Sequence, residues 1–300
     1  QVYRRFGAVV TVIEAAPRLI AREDEHVSRA VQTILEGEGV RFVLGARDTR
    51  VAQAATTGAG FVLDTADAQG RSHHVEGSHL LAAVGRRANT DDLGLDAAGI
   101  ATDTRGFITV DEQLRTNGDG VYALGDANGR GAFTHTSYND YEIVAANLLQ
   151  GESRRVGDRI PCYALFTDPP LARIGMTRAQ VLQTGRPALI GTMPMTRVGR
   201  ARERGETQGF MEVIVDAATE RILGAALLCI EGDEIVHSLL DVMAAGASVD
   251  VIRRCVHIHP TVSELIPTLL ADLRPLEAAA GTLRFKLAHA GRAGDIDFSE

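Results

Sequence analysis

Three hundred residues, 45% of them hydrophobic, can bury a substantial core and suffice for about two domains. The formal net charge of -8 gives no electrostatic footprint for nucleic acid, despite a short basic stretch at residues 197 to 204. No apolar run approaches the roughly 18 to 20 residues that span a bilayer, and Cys162, Cys229 and Cys255 are too far apart for a disulfide framework or zinc spacing. The composition points to a cytoplasmic protein with no metal, no membrane and no nucleic acid, whose partners are small molecules or other proteins.

The first residues, QVYRRFG, read as the last turns of a helix closing at a C-cap glycine, Gly7. With no initiator methionine ahead of them, the expectation is an amino-terminally truncated fragment. AVVTVIE at 8 to 14 is an almost continuous β-branched run ending on an acid, the pattern of a parallel strand buried on both faces. Residues 23 to 38 place Val27, Val31, Ile34 and Leu35 at helical spacing, and VRFVLG gives a second strand. From about 50 to 78, short strands alternate with polar turns, as in a small antiparallel excursion. SHLLAAVGRRAN then reads as a buried strand ending at Gly85.

A glycine-rich region follows from 89, in which the strand VYALGD stops on Asp126 and YEIVAANLLQG forms a helix. Past 157 the chain carries RIPCYALFTDPPLARIG, the hairpin MEVIVDAATERILGAALLC, and helices at 233 to 245 and 261 to 273. The expected fold is therefore α/β nucleotide-binding, Rossmann-like segments followed by an α+β domain.

Glu14, at the carboxyl end of its strand, is placed to accept hydrogen bonds from the ribose hydroxyls of a dinucleotide, or is simply a solvated acid at a strand end. An acid there favours NADH over NADPH, while Arg18 keeps NADPH open. Asp126, after a glycine that lets a ligand approach, can meet a ribityl or ribose hydroxyl; the plain alternative is a Gly-Asp turn. In VHIHPTVSEL, Thr261 and Glu264 match a capping box, so Glu264 either starts a helix or orients His259 for proton exchange. His257 is expected to pack or cap, and His73 and His74 to be solvated.

Taken in order, VTVIE, AAVGRRAN, GVYALGDANG, FTDPPLARIG and HIHPTVSE resemble the flavin-dependent pyridine nucleotide-disulfide oxidoreductases over residues 1 to 276. This is the family of dihydrolipoamide dehydrogenase, glutathione reductase and mercuric reductase. PMTRVGRARERGETQGFMEVIVD looks most like the mercuric reductase branch, but the tail lacks that enzyme's paired cysteines, which argues against mercury reduction. The resemblance implies an FAD-containing homodimer that passes a hydride from NAD(P)H, with NADH favoured, through FAD to a disulfide or related acceptor. It divides the chain into the remainder of an NAD(P)-binding domain (1–88), the carboxyl-terminal part of an FAD-binding domain (89–155), a dimerisation domain (156–276) and a tail (277–300). It makes Asp126 a flavin ribityl ligand and Glu14 a nicotinamide-cofactor ribose ligand. His259 with Glu264 becomes the proton-transferring dyad, and AFTHTSYND, with Thr134 and His135, faces the flavin by its backbone. Gly85, in AAVGRRAN, joins the cofactor-binding set. The family's GxGxxG motifs and CxxxxC redox pair do not occur in these residues, so the chain by itself is expected to be inactive. Two alternatives stay open: a non-catalytic nucleotide-binding dimerisation module, and a flavoprotein of the NADH oxidase or peroxidase type.

Overall fold

The computed structural model describes residues 1–54 and 60–277, together with strands at 285–288 and 293–296. It divides into one unit of residues 1–80 and 160–300 and another of residues 81–159.

In the first unit, helix α1 (Val2–Arg5) closes at Gly7 in the left-handed region, φ +98°. Strand β1 (Thr11–Glu14) pairs in parallel with β2 (Arg41–Leu44), setting Glu14 opposite Leu44, and α2 (Glu25–Gly37) makes the crossover. The parallel pairing agrees with the apolar run. Burial on both faces does not, because each β1 residue is only half-buried beside a single paired strand. Strands β3 (Arg47–Gln53), β4 (Phe61–Ala66) and β5 (Ser72–Gly77) form the antiparallel excursion.

The second unit has little regular structure before α3 (Thr134–Leu149). Its core is Ile100, Ile108, Val110, Leu114, Ala123 and Ile143. Asp103 and Asp111 set the turns, each carboxylate accepting backbone N–H groups two and four residues ahead. Two expected strands are absent. Residues 78–85 pair with nothing among the described residues and leave Leu81 and Val84 exposed. VYALGD contributes only a bridge, Tyr122 to Arg115, before a 3-10 turn at Gly125–Asn128. An extended run becomes a strand only where a neighbour supplies its ladder.

The rest of the first unit is a six-stranded antiparallel sheet in the order β11-β8-β9-β10-β7-β6. Its members are β6 (Cys162–Leu165), β7 (Leu171–Gly175), β8 (Ala188–Pro194), β9 (Phe210–Asp216), β10 (Ile222–Leu228) and β11 (Arg274–Pro275). Between them lie α4 (Arg178–Gln183), α5 (Gly199–Arg204), α6 (Gly232–Ala244), α7 (Asp250–Arg254) and α8 (Ile266–Ala271). Alternation along the strands sends Ala172, Ile174, Met211, Val213 and Leu227 to a core shared with α6 and α8. Leu171, Phe210, Ala226 and Leu228 point to the other face, where Val27, Ala30, Val31 and Ile34 of α2 cover them. The helix expected at 261 to 273 is shorter, a 3-10 turn at Ser263–Leu265 running into α8. Of the expected tail, Glu277 and the hairpin of β12 (Phe285–Ala288) and β13 (Ala293–Ile296) are described; its other positions lie outside the described residues.

Candidate functional site

Glu14 ends β1 half-buried, and its Oε1 accepts the Ala16 N–H at 2.7 Å. That bond turns the carboxylate back over its own strand end and leaves its other oxygen to accept hydroxyl donors. Arg18 does not complement it as a phosphate site. Its Nη2 donates to the carbonyls of Ala21 and Glu23, at 3.1 and 3.3 Å, and its buried Nε has no hydrogen-bond partner.

In the second unit, Asp126, Arg86, Phe133, Thr134, Tyr138 and Tyr141 line a cavity of about 670 Å³. Gly125 holds φ +71°, and a Cβ there would meet Ser137 Oγ at 2.7 Å, so the close turn before Asp126 requires glycine. Buried Asp140, ion-paired with Arg159, accepts the Gly125 N–H and Asn128 Nδ2, both at 2.9 Å, and fixes that turn. Asp126 Oδ2 accepts from Arg86 Nη1 at 2.9 Å, and the same nitrogen donates to Ala132 O at 3.1 Å. Thr134 opens α3, and the His135 ring stacks on Phe133, 5.1 Å between centroids. Gly85, at φ +118°, directly precedes Arg86. Asp126, Arg86 and the residues that open α3 thus line one concave surface.

In the HIHPTVSE segment the glutamate pairs with a histidine. His259 Nδ1 lies 2.7 Å from Glu264 Oε2, with the imidazole 79% exposed and the carboxylate 11%. With the carboxylate as acceptor Nδ1 is the donor, and Nε2 is the ring nitrogen that Glu264 does not engage. The capping box does not form: Thr261 Oγ1 donates to the Ile258 carbonyl at 2.7 Å, and neither the 3-10 turn nor α8 has a side-chain cap. His257 Nδ1 turns back to the carbonyl of Cys255, the C-cap of α7, at 3.2 Å.

Within the second unit, then, the structure gathers Asp126 and Thr134 around one cavity, with His135 beside them. In the first unit it pairs His259 with Glu264, and among the described residues no hydrogen bond or ion pair ties Glu14 to that pair. His73 and His74 reach solvent and are each also partnered by a carboxylate. His73 Nε2 is 2.9 Å from buried Asp67, whose carboxyl is held far below its ordinary range by that bond and by Arg71 and Gln69; His74 pairs with Asp64 at 2.7 Å. Cys229 is buried, which pushes its thiol up to about 12 and leaves it unreactive at neutral pH. Among the described residues, no group of three potential ligands is arranged to hold a metal, and no helix is long and apolar enough to cross a membrane.

Sequence reasoning missed a buried ionic row on the face of the six-stranded sheet covered by α2. Tyr163 stands opposite Arg173, Arg173 opposite Ala226, and Ala226 opposite Glu212, across four adjacent strands. Arg173 Nε donates to both oxygens of Glu23 at 3.2 and 3.1 Å, and the Tyr163 hydroxyl donates to Glu23 as well. Asp24 accepts the N–H groups of Arg178 and Ala179 at 2.8 and 3.0 Å. Glu212 takes Arg178 Nη2 at 2.7 Å and His26 Nε2 at 3.2 Å. Burial pushes the Glu212 carboxyl up, but His26 and Arg178 outweigh it and hold the group at about 2. The available signal was a charge inside each of two apolar strands, LARIG and FMEVIVD.

Residues 1–140 match the family model described as pyridine nucleotide-disulphide oxidoreductase, and residues 162–270 match that family's dimerisation domain. The probable pyridine nucleotide-disulfide oxidoreductase RclA of Escherichia coli (strain K12) is 36% identical over 273 residues, 90% of this chain and 59% of that protein. A dihydrolipoyl dehydrogenase of Cupriavidus necator is 34% identical over 278 residues, 92% of this chain and 58% of that one. The chain thus spans less than two thirds of the length of either relative. Among solved structures, the HOCl-induced flavoprotein disulfide reductase RclA from Escherichia coli superposes with a TM-score of 0.82 at 34% identity, over 90% of this chain and 60% of that one.

Proposed function

The chain belongs to the pyridine nucleotide-disulfide oxidoreductase family, and on that premise we propose that it serves an FAD-dependent oxidoreductase that passes a hydride from NAD(P)H to a disulfide or related acceptor. Residues 1–88 are read as nicotinamide-side, 89–155 as flavin-side and 156–276 as dimerising. The observation that carries the reading is the His259–Glu264 pair, a carboxylate-oriented imidazole turned outward with no capping role to explain it.

The residues present fit both cofactors. The 670 Å³ cavity joins a carboxylate acceptor, Asp126, to the start of α3 at Thr134, next to His135, a polar lining suited to a polyhydroxyl chain and a polar ring. FAD bound there would supply the hydride relay between nicotinamide and acceptor. Asp126 would hold ribityl hydroxyls in exchange for Arg86, and Gly85 would let the backbone before Arg86 turn sharply. Glu14 would accept the ribose hydroxyls of the nicotinamide cofactor. Its charge, with Arg18 folded onto backbone carbonyls, favours NADH over a 2'-phosphorylated coenzyme. His259 would carry protons at Nε2 while Glu264 fixes the ring through Nδ1.

The exposed side chains of Val256 and Ile258, just before the dyad in sequence, support a homodimer in which a second copy covers this segment. The proposed setting is the cytoplasm, with a small-molecule or disulfide substrate and neither nucleic acid nor membrane as partner. To test it, the full gene product is mixed anaerobically with NADH and then with a disulfide. Bleaching of bound flavin followed by its return is expected. A flavin that NADH leaves oxidised would contradict the proposal.

A further inference from the structure

The segment that follows Glu14 is fastened at both ends. At the front, Ala16 donates to Glu14 Oε1 and accepts from Gly45 N–H at 2.8 Å. In the middle, Arg18 spans the carbonyls of Ala21 and Glu23, Ser28 Oγ donates to Leu19 O at 2.5 Å, and Glu23 N–H closes a turn on Ile20 O at 2.8 Å. At the rear, Glu23 is gripped by Arg173 and Tyr163, and Asp24 by the N–H groups that open α4. Glu23 and Arg173 are each 2% exposed.

A buried ion pair is poor evidence for stability, because an apolar pair of similar volume often packs as well or better. In some proteins such a pair instead sets register, since a displaced charge loses its partner inside a medium that penalises it. Here the register joins two regions distant in sequence, the strand-end acid and the dimerisation sheet. Ala226, between Arg173 and Glu212, is fully buried against α2.

We infer that Glu23 and Arg173 are positioning residues for the coenzyme site: they fasten the segment after Glu14 to the sheet, so that the Glu14 carboxylate stands where the ribose hydroxyls of NADH reach it. The inference rests on the proposed role of Glu14. Neither residue touches the coenzyme; both act through the Ala15–Arg22 segment.

Two variants of the full gene product test it, Glu23→Gln and the double variant Glu23→Gln/Arg173→Met, which removes both charges and leaves Asp24, 3.6 Å from Arg173, on the N–H groups of Arg178 and Ala179. Leu239→Ala is the control, since it opens the core on the opposite face of the sheet. The two test variants are expected to raise KM and Kd for NADH roughly 3- to 30-fold, with kcat at saturating NADH retained and the NADH-to-NADPH specificity ratio reduced. Leu239→Ala is expected to lower the melting temperature without moving KM. Unchanged KM and ratio in both test variants, or an equal rise in KM for Leu239→Ala, would show that the network only stabilises. If the wild-type protein binds no NADH by titration calorimetry, the coenzyme reading itself fails and takes this inference with it.

Discussion

Two side-chain pairs in the first unit use carboxylates in opposite ways. In Glu23–Arg173 both side chains are sealed from solvent, at 0% and 3% exposure, beneath α2. In His259–Glu264 the carboxylate is almost covered, but the imidazole stands 79% in solvent. A sealed pair has no route for a proton to enter or leave, so its effect is on geometry. A pair with one covered and one open member is built the other way: the covered carboxylate fixes the ring, and the nitrogen proposed to carry protons stays open to solvent.

Substitutions should separate the two cleanly. His259→Ala in the full gene product should lower disulfide turnover by ~10² to 10⁴, the usual worth of a positioned acid or base, with flavin content and melting temperature unchanged. Turnover within a factor of a few of wild type would erase the distinction. Arg173→Met should act on stability, costing about 3 to 5 kcal/mol in urea unfolding because it strands the Glu23 charge, whereas Glu23→Gln/Arg173→Met should cost less. A single variant as stable as the double would mean that Glu23 is not held as an ion.

A smaller effect sharpens the buried side. The Glu212 carboxyl, held at about 2 against its ordinary 4.5, is depressed in the folded state. Its contribution is therefore complete above about pH 4.5 and is lost as pH falls toward 2. Glu212→Gln should flatten the fall in melting temperature across that window. An unaltered acid limb would show that His26 and Arg178 do not hold the charge.

Much of the fold was legible because its signals are local. The β-branched run at 8 to 14 paired in parallel with VRFVLG, the spacing of Val27, Val31 and Ile34 made α2, and the 210 to 229 stretch made a hairpin. Two strands were misread because their evidence is not local. LLAAVG and VYALGD have the composition of strands, but Val84 stays exposed and Tyr122 finds only a bridge, since pairing depends on a neighbour that composition does not reveal. The buried row escaped for a related reason. Glu23 lies 150 residues from Arg173, and His26 lies 186 from Glu212, so each charge looked anomalous alone. At HIHPTVSE the sequence offered two readings of one glutamate, and only geometry chose the imidazole over the helix end.

That choice is tested most directly by Glu264→Gln in the full gene product, with disulfide turnover and melting temperature measured on the same preparation. Loss of the carboxylate should lower turnover, by less than His259→Ala does, while the melting temperature holds, because Glu264 caps no helix. A melting temperature that falls while turnover is kept would contradict the account and return Glu264 to the start of a helix.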